Sequence, residues 1–141
     1  MDKDKIFGFL KMNLDAGNNT CMIYRDFELV FSSEKRGVTP LMDFIKENQG
    51  TKGYMLADKV IGKAAALLCL KAGISIVYSN IISTAALEIL DNNGIPVAYD
   101  KKVPAIQNRT RTGFCPMEGL SEGINDPDAM YDKIVKWIAS K

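Results

Sequence analysis

Residues 57–66 of this 141-residue chain, Ala-Asp-Lys-Val-Ile-Gly-Lys-Ala-Ala-Ala, set a small group of side chains able to do chemistry at the head of an apolar run. Asp58, Lys59 and Lys63 supply one anion and two cations, and Gly62 omits a side chain where a ligand or backbone could come close. If Tyr54 to Ala57 form a short buried strand, Asp58 falls at the N-cap of a helix over 59–72 that Gly73 closes. Lys59 and Lys63 are four apart and share a face of that helix. Its free N–H groups and dipole attract anions. Asp58 either caps the helix or faces a ligand, and a solvated, well-capped first turn is the bland alternative. Gly62-Lys63 is not a P-loop. That pattern needs Gly at 57 and Ser or Thr at 64, and Ala stands at both.

Two further groups sit on loops. In Cys115-Pro116-Met117-Glu118, Pro116 suits the first position of a short helix, which makes Cys115 its N-cap. A thiolate there gains from the helix dipole and from Arg109 and Arg111, so Cys115 is a candidate nucleophile or redox thiol; a small buried thiol is the alternative. Arg36 with Gly37, and Arg109 within Asn108-Arg109-Thr110, are the second group. Arg matches phosphate or carboxylate bidentately, and open α/β sheets bind ligands on loops beyond the carboxyl ends of their strands. Scattered solvated charge is the competing explanation.

Composition narrows the chemistry. The chain has no histidine, which removes Ser-His-Asp and Cys-His systems and every imidazole zinc site. Acid–base work would fall to carboxylates, Lys, Cys or Tyr. Cys21, Cys69 and Cys115 are odd in number and widely spaced, neither a disulfide framework nor a zinc pattern. Net charge is +1, so no global field draws the chain to nucleic acid or an anionic membrane. No apolar run reaches 18 residues without a charge, and the opening Met-Asp-Lys-Asp-Lys is unlike a signal peptide. A cytoplasmic protein without membrane or nucleic-acid partners is expected.

The elements that must position these residues follow from periodicity. Ile6, Phe7, Leu10 and Leu14 mark an amphipathic helix over 2–15. Thr20–Tyr24 and Glu28–Phe31 read as an antiparallel hairpin. Thr39 as N-cap and Pro40 at N1 open a helix carrying Leu41, Phe44 and Ile45 inward. Ile74–Ser79 is a buried strand, 80–90 a helix, and Ile95–Tyr99 the next strand. Residues 100–125 have weak periodicity, as functional loops do. A helix from Asp126-Pro127 presents Met130, Ile134, Trp137 and Ile138 on one face. Strands alternating with helices imply parallel pairing, and the hairpin adds an antiparallel edge. A single α/β domain over 1–141 is expected, a three-layer α/β/α sandwich with a mixed sheet.

The whole chain resembles a small family of uncharacterised prokaryotic proteins with a cytidine-deaminase-like fold. The resemblance rests on Arg36-Gly37-Val38, Pro40-Leu41, residues 57–66, Asn108-Arg109-Thr110 and Cys115-Pro116-Met117-Glu118. It implies the three-layer sandwich and a pocket at the start of the central helix. It does not imply deamination, which needs a zinc ligand and a Glu at that helix start and a Cys-x-x-Cys at the next. Here Ala57-Asp58-Lys59 and Asn80-Ile81-Ile82-Ser83 stand in those places, and neutral Asn and Ser oxygens do not replace thiolates around zinc.

The expected function is binding of a phosphate-bearing, nucleotide-like small molecule in a regulatory or binding role, without metal or cofactor. Arg36, Gly37, Lys59, Gly62, Asn108, Arg109, Thr110 and Glu118 would line the site. The alternative is a metal-free enzyme acting on a nucleotide or nucleotide sugar through Asp58, Lys63 or Cys115. The sequence leaves the oligomeric state open.

Overall fold

A computed structural model describes residues 2–48, 50–106 and 116–140. Five strands form one sheet in the order β2-β1-β3-β4-β5. They are β1 (Cys21–Arg25), β2 (Glu28–Ser33), β3 (Tyr54–Ile61), β4 (Ile74–Ser83) and β5 (Val97–Val103). β1 pairs antiparallel with both β2 and β3, whereas β3, β4 and β5 are parallel. The sheet is therefore mixed, with its antiparallel part at one edge.

Among the described residues six helices cover it: α1 (Lys3–Asp15), α2 (Thr39–Glu47), α3 (Lys63–Ala72), α4 (Thr84–Asn92), α5 (Pro116–Leu120) and α6 (Pro127–Ala139). Among the described residues, α1 alone covers one face. Its Ile6, Leu10 and Leu14 pack on Met22, Tyr24, Met55, Ala57, Ile76 and Tyr78. The other face carries the larger core, where Leu56, Val77 and Ile82 of the sheet meet α2, α3, α4 and α6. α3 lies at its centre. Seven of its ten residues are buried, and its Ala-rich sequence lets its neighbours approach closely.

The expected elements are present, with shifted boundaries. β3 runs to Ile61, so Asp58 and Lys59 are strand residues rather than the opening of a helix. Gly62 is the N-cap of α3, with extended backbone and no side-chain cap bond. Val60 and Ile61 are β-branched, and pairing with Ile81 and Ile82 on β4 outweighs the capping tendency of Asp58. β4 likewise runs through Asn80 to Ser83, and α4 begins at Thr84 with Ser83 accepting from Ala86 N–H at 3.1 Å. Thr39 is the first residue of α2, after an uncapped Val38. On α6, Met130 and Ile134 are buried as expected, but Ile138 is exposed.

One boundary is fixed by a glycine. Gly73 ends α3 at φ +77°, where a Cβ would lie 2.3 Å from the Thr51 carbonyl oxygen. Its own carbonyl accepts from Gly53 and Tyr54 N–H, which ties the end of α3 to the start of β3.

Burial of α3 generates a direct test. Leu67 is fully buried in the larger core, and Leu67→Ala should destabilise the protein by about 2–5 kcal/mol. Ile138→Ala, on the exposed face of α6, should stay within about 0.5 kcal/mol of wild type. Urea midpoints compared at constant m decide both, and an unchanged midpoint for Leu67→Ala would contradict the central place of α3.

Candidate functional site

The parallel strands set where a ligand could bind. β2 runs in the same direction as β3, because both are antiparallel to β1. Cys21 pairs with Ser33 on one side and with Asp58 on the other, and Asp58 pairs with Ser79. Past that level the chain leaves the sheet at one common end. There lie the loop carrying Arg36 and Gly37, the Gly62-Lys63 start of α3, and the Ser83-Thr84 start of α4. β2 and β3 are separated by β1, which puts the Arg36 loop and the α3 start roughly 10 Å apart across the sheet. Arg36 is exposed, and Gly37 adopts φ +64°.

At the start of α3, Lys63 is the first helical residue and is half-buried. The first-turn N–H groups receive no bond from the N-cap side chain, because that residue is Gly62. Glu118 of α5 lies directly over this glycine. A Cβ at position 62 would sit 3.0 Å from Glu118 Oε1 and 3.1 Å from Ile106 Cγ1. Glu118 Oε1 also accepts from Ile106 N–H at 3.3 Å. The bare backbone at Gly62 thus admits a carboxylate and an aliphatic side chain, the close approach its sequence position suggested. Gly62, Lys63 and Glu118 come together. Asn108, Arg109, Thr110, Arg111 and Cys115 lie outside the described residues.

Asp58 is not part of this group. It sits on β3 beneath α3, 5% exposed, flanked by Cys21 and Ser79 and facing Cys69 of α3. Its Oδ1 accepts from Val60 N–H at 3.3 Å, while Oδ2 is buried without a partner among the described residues. Ser79 spends its hydroxyl on the Ile81 carbonyl at 2.8 Å. Burial pushes the Asp58 carboxyl up to about 8 against the lowering effect of the Val60 and Lys59 N–H groups. At neutral pH the group is an uncharged acid. Burial likewise raises the Cys21 and Cys69 thiols, with the nearby carboxyl adding to it, so both are poor nucleophiles. Lys59, the next strand residue, is half-buried, and strand alternation turns its side chain from the Asp58 face.

The opposite face of the sheet carries a polar cluster that the sequence did not reveal. Lys11 Nζ of α1 lies 3.1 Å from Tyr78 Oη, 3.1 Å from Asp100 Oδ2 and 3.2 Å from Asp15 Oδ2. Asn80 donates to Tyr78 Oη at 3.0 Å and to Asp100 at 3.2 Å. The Tyr78 hydroxyl and the carboxylates raise the Lys11 ammonium, and Tyr78 and Lys11 hold Asp100 below its ordinary value. The cluster ties α1 to β4 and β5. Asn80, expected at a helix start, serves here instead. Asp15 is an i,i+4 neighbour of Lys11, but Tyr78 and Asp100 lie 67 and 89 positions from it, so no local pattern could announce them.

Among the described residues, no three Cys, Asp or Glu side chains converge as metal ligands. No helix among them is long and apolar enough to cross a membrane. An open groove of about 580 Å³ lies away from Lys63 and Glu118, between β2 and α2.

Residues 10–138 match the family described as TM1506, a domain of unknown function (DUF1893), and the chain belongs to that family. The crystal structure of the DUF1893 family protein TM1506 from Thermotoga maritima is similar, with 25% identity and a TM-score of 0.85, over 96% of this chain and 91% of that one. No curated protein matches the sequence.

Asp58 makes stability depend on pH in a defined direction. The folded state keeps its proton up to about pH 8, whereas the unfolded carboxyl releases it near 3.8. Between these values the folded state binds more protons, so this group's contribution is full below pH 4 and is lost as pH rises to about 8. Urea midpoints of wild type and Asp58→Asn should diverge in favour of the variant as pH rises across that window. A gap independent of pH would show that Asp58 is ionised in the fold.

Proposed function

We propose that this chain is a cytidine-deaminase-like sandwich without a zinc centre, and that it binds a phosphate-bearing, nucleotide-like ligand at the start of α3. The observation that carries the reading is the first turn of α3. It has no side-chain cap, Lys63 heads it, and it stands at the carboxyl end of parallel strands, beside the start of α4. Free N–H groups, a helix dipole and an ammonium favour a phosphate there. Glu118, beside Gly62, suits the hydroxyls of a ribose or other sugar as an acceptor. Phosphate on Lys63 and sugar on Glu118 is a pairing that a nucleotide satisfies. Arg36, on the chain that follows β2, would add charge from the same end of the sheet, and Arg109 is proposed as a further phosphate ligand on its residue type alone.

The deaminase-like reading is supported by the mixed sheet and by two helices starting side by side after adjacent parallel strands. The residues at those starts are Gly62-Lys63 and Ser83-Thr84, none of them a thiolate, imidazole or carboxylate. A binding role has more support than metal-free catalysis through Asp58, because Asp58 is only 5% exposed; catalysis through Lys63 or Cys115 is the second reading.

A thermal-shift series with nucleosides, nucleotides, nucleotide sugars and inorganic phosphate tests the proposal, since a ligand of the native state raises Tm by mass action. Nucleotides should raise Tm, the parent nucleosides much less. Lys63→Ala should abolish most of the shift, and Glu118→Gln should narrow the advantage of nucleotides over inorganic phosphate. Absence of a shift with every phosphorylated compound, or a shift indifferent to Lys63→Ala, refutes it.

A further inference from the structure

We propose that β2 is a pairing edge for a second copy of this chain, joining the two sheets antiparallel across a two-fold axis at Ser32. The sheet has two edge strands, and they differ in how they meet solvent. β5 presents Asp100, Lys101 and Lys102 in an exposed row, the kind of charge that discourages edge pairing. β2 is Glu-Leu-Val-Phe-Ser-Ser, charged only at its first residue. Leu29 and Val30 are each 47% exposed, and Phe27 at the hairpin tip is 40% exposed. An uncharged apolar edge with free backbone groups is a template for another strand.

The bulge in β2 selects the partner and the register. Tyr24 pairs with Leu29 and Ile23 with Phe31, which leaves Val30 as the extra residue. Leu29 therefore faces the α1 side with Tyr24, and Phe31 faces the α2 side with Ile23. Continuing the alternation, Glu28, Phe31, Ser33 and Lys35 share the α2 side, and Leu29, Ser32 and Glu34 share the α1 side. A two-fold axis perpendicular to the sheet keeps each face on its own side, so only residues of one face can stand opposite each other. With the axis at Ser32, Phe31 faces Ser33 of the second copy, Val30 bulges, Leu29 faces Glu34, and Glu28 faces Lys35. Every pair shares a face, and each end of the joint sets Glu against Lys. Moving the axis one residue sets Glu28 against Ser33 or Gly37 instead, and the opposite charges are lost.

The groove beside this edge supports the same occupant. Its charged residues are Lys35, Lys46, Asp43 and Glu47, two of each sign. A surface balanced in this way complements its own two-fold copy, while a strongly acidic or basic partner gains nothing from it. Lys35 is 64% exposed in its ion pair with Asp43, so it can turn to Glu28 of the second copy without uncovering a buried charge.

Light scattering and sedimentation equilibrium of the full chain over a range of concentrations test this. The expected mass is twice 15.6 kDa, and Val30→Lys should give the monomer. Glu28→Lys and Lys35→Glu should each weaken the dimer about tenfold, and the double reversal should restore it. A melting curve for each variant establishes that it folds; if Val30→Lys does not, the charge reversals decide. A wild-type monomer at high micromolar concentration overturns the proposal. So does a dimer that all three substitutions leave intact, or a monomer whose β2 edge binds an unrelated peptide.

Discussion

The burial of α3 is the constraint on which the rest of the molecule depends. With Ala64, Ala65, Ala66, Leu67, Leu68, Cys69 and Ala72 all withdrawn from water, the helix needs β3 and β4 beneath it and α2, α4 and α6 around it. Three consecutive alanines make close packing possible, and they leave nothing polar to answer the sheet below. Asp58 faces that dry surface. A carboxylate there without a cation is costly, and the group responds by keeping its proton. The same burial keeps Cys21 and Cys69 as thiols. The protonation of Asp58 thus follows from packing.

How much was legible follows from the range of each signal. The amphipathic period of α1, the hairpin, and the alternation of strands and helices from residue 54 onward are local, and the structure has them. The start of α3 was misplaced because Ala-Asp-Lys-Val-Ile-Gly carries two readings. Asp is a good cap, and Val-Ile are good strand residues. Pairing with β4 decides between them, and that partner lies some twenty residues on. The end of β4 was missed for the same reason: Asn80 reads as a helix opener until its amide is seen between Tyr78 and Asp100.

The candidate site shows the same division. Gly62 was legible as a place of close approach, because only a missing side chain explains a glycine amid good helix and strand formers. What approaches it, Glu118 from 56 positions later, has no local signal in the sequence that ties it to Gly62. Lys63 stayed at the helix start, while Lys59 moved onto the strand. Sequence spacing can place neighbours on one face of a helix, but the assignment fails once the element itself is of the other kind.

The cover that α1 gives to one sheet face bears on how this chain emerges from a ribosome. α1 is 13 residues long, too short to be a stable helix in water alone. Its apolar stripe rests on Met55, Ala57, Ile76 and Tyr78. Those partners are synthesised long after it, and at ordinary elongation rates the delay is roughly 3–12 s. Throughout that interval Ile6, Leu10 and Leu14 have only Met22 and Tyr24 of their native surface to cover. The three-way clasp of Lys11 by Asp15, Tyr78 and Asp100 closes later still, when Asp100 arrives. α1 is therefore made well before most of the surface that holds it in place.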